Sequence, residues 1–164
     1  MNIKDLEEKI NKNEIDEAIH IVEQIAERKV KKTVPFLIKQ LEITDNHLLR
    51  NAIAIALSDI GDEEAIEPII MMLKNPKTKG FRGTLLAALT PFDYSQYIDI
   101  LVDIICEGNF EVSRKSLILI ESIRKDISVD TRKKCVTKIK SEIEKLQEKV
   151  DFLIESLDVF KKEL

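Results

Sequence analysis

Arg50–Leu73 reads RNAIAIALSDIGDEEAIEPIIMML, two apolar helical runs divided by a single turn. Gly61 stands where a helix C-terminus needs positive φ, and Asp62 offers a side-chain acceptor to the start of the next helix. In the second run Ile66, Ile69, Ile70 and Leu73 fall at i, i+3, i+4 and i+7, one stripe of an amphipathic helix.

The stripe recurs on either side. Val34, Ile66 and Ile98 form one column, each 32 residues from the next. Leu37, Ile69 and Leu101 form a second, Ile38, Ile70 and Val102 a third, and Leu41, Leu73 and Ile105 a fourth. Arg50, Arg82 and Arg114 keep the same period, and each opens an apolar helical stretch. Turn residues separate the runs: Thr44-Asp45-Asn46, Asn75-Pro76, Pro91-Phe92-Asp93 and Gly108-Asn109. The pattern predicts helices at 3–11, 14–30, 32–42, 46–60, 63–74, 79–90, 94–107 and 110–125, with a long one from about 128. One helical pair cannot bury its apolar face alone, so the pairs must stack. The expected fold is all-α: one domain over 1–164, a right-handed α-solenoid of antiparallel helix pairs. Its repeats run at 14–42, 46–74, 79–107 and 110–125, and a C-terminal helix at 128–164 caps the stack.

The stretch 50–73 resembles a HEAT-like repeat of the short kind first named from phycobilin lyases. The arginine, the small-residue apolar helix, Ala56-Leu57, Gly61-Asp62, Ala65-Ile66 and Pro68 carry the likeness, and IGDEEAIEP is its most specific piece. Residues 79–105 follow more loosely, because Pro91 and Asp93 replace the Gly-Asp turn; 14–42 and 110–125 match only in hydrophobic phase. The resemblance implies a fold and a binding role rather than a reaction.

Composition narrows the class. The chain is 44 % hydrophobic and 34 % charged, which excludes a disordered chain and an integral membrane protein. The N-terminus is charged from Lys4 onward with no apolar h-region, so a cytoplasmic location is expected. Isoleucine occurs 25 times beside abundant Lys and Glu, the bias of an AT-rich, microbial genome. A net charge of −4 argues against a general nucleic-acid binder, which carries a basic face. Residues 47–110 hold nine acids against five bases, so the deficit sits in the middle of the chain.

From Val136 the apolar positions run Val136, Ile139, Ile143, Leu146, Val150, Leu153, Leu157, Phe160 and Leu164, with spacings alternating 3 and 4. This heptad seam has no Gly or Pro. It suits either a helix folded back on the stack or a coiled coil for self-association, that is, a homodimer, or for partner capture.

No catalytic, metal or cofactor motif is present. His20 and His47 are followed by Ile21 and Leu48, not by the Glu of the His-Glu pairs that bind iron in some HEAT-like enzymes. Cys106 and Cys135 share no metal or redox spacing and read as reduced, space-filling residues. Lys77-Thr78-Lys79-Gly80 lacks the glycine frame of a phosphate loop and reads as a solvated loop. The ladder of Arg50, Arg82 and Arg114 suits bonding to carbonyls or acids of a neighbouring repeat better than anion binding. The basic run Arg132-Lys133-Lys134-Cys135-Val136-Thr137-Lys138 reads as a solvated face of an amphipathic helix rather than a phosphate patch.

In the HEAT-like architecture the second helices line the concave face. The period places Phe36, Pro68 and Ile100 in one outward row, Gln40, Met72 and Ile104 in another, Lys39, Met71 and Asp103 in a third, and Pro35, Glu67 and Asp99 in a fourth. The expected partner-binding residues are Phe36, Lys39, Glu67, Met71, Met72, Asp99, Ile100, Asp103 and Ile104: an apolar strip flanked by carboxylates. The competing reading makes the strip a wide core under the next repeat. The expected function is therefore a non-catalytic protein-interaction module for a basic protein, in one version an immunity protein that occludes a toxin such as a nuclease. The alternatives are an enzyme-associated protein, such as a chromophore lyase or chaperone built around Asp93, Tyr94 and Tyr97, and a nucleic-acid binder.

Overall fold

The computed structural model describes residues 3–161, and those residues form helices, short 3₁₀ turns and loops with no strand. The helices are α1 (Ile3–Asn11), α2 (Ile15–Glu27), α3 (Val34–Ile43), α4 (His47–Ile60), α5 (Ile66–Lys74), α6 (Arg82–Ala88), α7 (Ile98–Glu107), α8 (Phe110–Ser122) and α9 (Val129–Lys161). The last seam position, Leu164, and the end of the expected helix 128–164 lie outside the described residues.

Local chemistry sets the boundaries. Gly61 ends α4 at φ 69°, its N–H bonding the Leu57 carbonyl at 3.1 Å. Asp62 then accepts from the Glu64 N–H at 3.2 Å. Asn46 and Asn109 cap α4 and α8 through side-chain oxygens. Three 3₁₀ turns, at Lys31–Thr33, Glu63–Ala65 and Ser95–Tyr97, lead into α3, α5 and α7, and their starts keep the 32-residue period. Because of these turns, α5 and α7 begin later than the sequence predicts. α6 is shorter than the expected 79–90. Gly80 at φ 97° delays its start, and Pro91 disfavours helical backbone at Thr90.

Two layers result. The first helices of each pair, α2, α4, α6 and α8, pack in succession as an A layer. In the B layer α3 packs on α5 and α7 on α9. Between the layers lies one apolar core, in which Leu37, Leu57, Ile69, Leu85 and Leu101 are fully buried. Polar bonds fasten the last pairs: Ser116 donates to the Leu101 carbonyl at 2.7 Å, and Tyr94 donates to the Leu119 carbonyl at 3.0 Å.

α9 closes the end of the stack by packing along α7. Asp103 of α7 pairs with Lys138, and Cys106 and Glu107 face Glu142 and Lys145 across a cleft, so the two helices run side by side in the same direction. α9 is thus the second helix of a fourth pair, and its first half, as far as about Lys145, runs against the body. From Ile143 to Lys161 every residue except Ser156 is exposed. The second helices of the array begin at 34, 66, 98 and 129, and α1, starting at 3, falls in the same register as a half unit ahead of the first pair.

Candidate functional site

The outward face of the B layer is built from the positions farthest from the apolar stripe. Lys39 on α3, Glu67 and Met71 on α5 and Asp99 on α7 are exposed, while Phe36, Ile100 and Asp103 are half-buried. Met71 retains 53 % of its surface. None of these seven is buried.

Met72 and Ile104 do not belong with them. They are 2 % and 3 % exposed, and Gln40, in the same column, is also buried. That column sits about 110° from the centre of the stripe at 100° per residue, on a helix flank rather than on the outward side. Glu67 and Asp99 stand equally far round on the opposite flank and are exposed, so only the flank that carries Gln40, Met72 and Ile104 is covered. Ile104, with Ile100 and Asp103, faces Leu73 and Lys74 of α5. Here, beside the shortened α6, a groove of about 200 Å³ opens between α5 and α7, with Arg82 and Glu107 at its rim.

Part of the acidic flank is already matched within the chain. Asp103 forms an ion pair with Lys138, and Lys133, Lys134, Lys138 and Lys145 line a cleft of about 550 Å³ between α7 and α9 with Cys106, Glu107 and Glu142. The basic run is therefore no plain solvated face. Burial, followed by the charges of Glu142 and Glu107, pushes the Cys106 thiol up, and burial and Asp99 do the same to Cys135. A raised thiol pKa leaves less thiolate at a given pH. Labelling by a disulfide reagent at neutral pH should therefore be slower at both cysteines than at free cysteine, with the rate climbing only at higher pH. Fast labelling of either thiol at neutral pH would contradict this environment.

Other residues singled out in the sequence serve the fold. Arg50 is buried, its Nη2 donating to the carbonyls of Thr44 and Asp45 at 3.1 and 3.2 Å. These carbonyls belong to the loop that precedes its own helix. Its Nε and Nη1 have no partner, and burial lowers its pKa. Arg82 is half-buried and Arg114 exposed, so the ladder is not one repeated bond. Lys77-Thr78 is not solvated loop either. Lys77 Nζ donates to the Glu42 carbonyl at 2.6 Å, tying one inter-unit loop to the previous one, and the buried Thr78 hydroxyl donates to the Met72 carbonyl. Tyr94 is buried and bonded to α8, and the exposed Asp93 accepts from the Ser95 N–H, so both side chains serve the turn that leads into α7.

The sequence reading missed one further cavity. It is a cleft of about 610 Å³ on the A layer between α2, α4 and α6. Glu23, Glu27 and Asp59 stand around it, Ala26, Ala52, Ala56 and Ile55 form apolar wall, and the Asn51 Oδ1 is buried there without a donor. Its signal in the sequence is the run of alanines that thins α4.

A family model for HEAT repeats matches residues 3–90, more than half of the chain. The chain belongs to the HEAT-repeat family. No curated protein and no solved structure matches it. The HEAT match begins at Ile3, in agreement with α1 as a half unit in register, and it ends at Thr90, where Pro91 replaces the Gly-Asp turn. HEAT repeats are in general protein-interaction scaffolds. Among the described residues no helix of the HEAT array is long and apolar enough to cross a membrane, and no group of three His, Cys, Asp or Glu is placed to hold a metal.

Proposed function

We propose that the chain is a non-catalytic scaffold that binds a basic protein on the outward face of its B layer. The observation that carries this reading is Met71: an exposed, adaptable apolar side chain at the middle of a face whose exposed carboxylates are Glu67 and Asp99. Carboxylates at the edge steer a basic partner, and the apolar centre holds it. Phe36 and Ile100 extend the apolar centre along the array. Neutralising a toxin such as a nuclease, as an immunity protein does, is the form of this activity that suits a small acidic domain.

The A-layer cleft supports a second reading, because the three carboxylates on its rim, which outnumber the one cation Lys29, and the unpaired Asn51 Oδ1 also suit a basic segment. The two separate in a pull-down from host extract with three baits: wild type, Glu67→Lys/Met71→Glu/Asp99→Lys, and Glu23→Lys/Glu27→Lys/Asp59→Lys. Asp103 is left intact because its ion pair with Lys138 holds α9. One basic protein recovered by wild type and by the A-layer variant, and lost from the B-layer variant, is the expected result. Loss from the A-layer variant alone moves the site to that cleft. Equal recovery by all three overturns both readings.

A further inference from the structure

We infer that the free part of α9 is a dimerisation arm that pairs in parallel with α9 of a second copy of this chain. This goes beyond the partner-binding face and does not depend on it. Counting heptads from Val136 as position a, the exposed arm has Ile143, Val150 and Leu157 at a and Leu146, Leu153 and Phe160 at d. All six are large apolar side chains between 46 % and 72 % exposed, with nothing of the body against them. Ile154, at e, borders the same seam and is equally open. Seven such side chains, each giving up on the order of 100 Å², approach the roughly 800 Å² per partner of a standard interface.

The seam's own composition selects the occupant. β-Branched residues at a with leucine at d, as at Ile143, Leu146, Val150 and Leu153, favour two parallel strands. The flanking residues agree. In the parallel pairing each g residue meets the e residue five positions on in the partner: Glu142 meets Gln147, Lys149 meets Ile154, and Ser156 meets Lys161, with no like charges opposed. An antiparallel pairing that overlaps Ile143–Phe160 fully sets Lys140 against Lys161 at both ends. The body leaves room for the parallel form, since α7 covers Cys135, Ile139 and Glu142 only in part and Val136 is open. Phe152 and Val159, at c, lie on the outer side of the arm.

Sedimentation equilibrium of the full chain tests the inference. The expected mass is twice the 18.9 kDa of one copy. Leu146→Glu/Leu153→Glu should give a monomer with the helical content retained, because neither side chain packs on the body. Phe152→Glu/Val159→Glu should stay dimeric, and its dissociation would overturn the assignment of the seam. An Ile143→Cys variant in a Cys106→Ser/Cys135→Ser background should cross-link to its partner on oxidation. In the antiparallel pairing the two cysteines lie about 25 Å apart and cannot join. A monomeric or trimeric wild type, or a dimer that fails to cross-link, refutes the parallel two-stranded arm.

Discussion

Leu57→Ala is expected to destabilise the chain by about 3–4 kcal/mol, the mid-range for truncating a fully buried leucine. Leu57 is 0 % exposed on α4, and α4 is the helix against which α2, α3 and α6 all pack. Neighbours held in place by their own helices cannot collapse into the space, so a cavity term adds to the lost transfer energy. Each unit of a repeat array leans on its neighbours, and a wound in the middle pair weakens two interfaces at once. At about 2–4 °C per kcal/mol for a chain of this size, the melting temperature should fall by roughly 10 °C. Urea unfolding followed by circular dichroism gives the free energy directly, through a lower midpoint at unchanged slope. A loss below about 1 kcal/mol would mean that α4 is not the centre of the stack.

Arg50→Ala comes next, at about 2–4 kcal/mol, while Arg114→Ala should change stability by no more than about 0.5 kcal/mol. The two arginines occupy the same column of the repeat but different environments. Arg50 is buried and holds the Thr44 and Asp45 carbonyls, and Arg114 stands in solvent. Alanine at 50 leaves the Asp45 carbonyl without that donor and opens a cavity the length of an arginine stem. The Thr44 carbonyl keeps the weaker contact from Lys77, 3.4 Å away, which moderates the loss. Denaturant midpoints of the two variants, measured side by side, decide the point. Equal losses would restore the ladder as one repeated structural bond.

The contrast shows what a period conveys and what it leaves out. Gly61, Asp62 and the four apolar columns carry their own physical meaning, a left-handed turn and a helix stripe, so the three central pairs were legible in the sequence. The outer elements were less so. In the stripe register α9 offers Asp130, Lys133, Lys134 and Thr137, and α1 offers only Leu6, so neither announces itself as a second helix. The exposure of the proposed face was legible in outline: Glu67, Met71 and Asp99 are exposed, as the helical wheel predicts. Met72 and Ile104 were misplaced because a wheel describes one helix, whereas burial of a flank depends on the next helix in the layer. Two features had no local signal at all. The match of Lys138 to Asp103 joins residues far apart in sequence, and the A-layer cleft arises from small side chains on α4 rather than from any motif.

α9 passes from the packed B layer into its free arm without a break in the helix, and this gives the molecule a mechanical property. A solenoid yields by small changes in the angle between neighbouring units. Here the last unit is rigidly continuous with a rod of 19 residues, about 28 Å at 1.5 Å per residue. A tilt of about 10° in the stacking of the fourth pair would swing the tip of that rod by roughly 5 Å. Strain imposed on the array thus reaches Lys161 as a displacement the size of a side chain, and a load on the rod is delivered back to the α7–α9 contact.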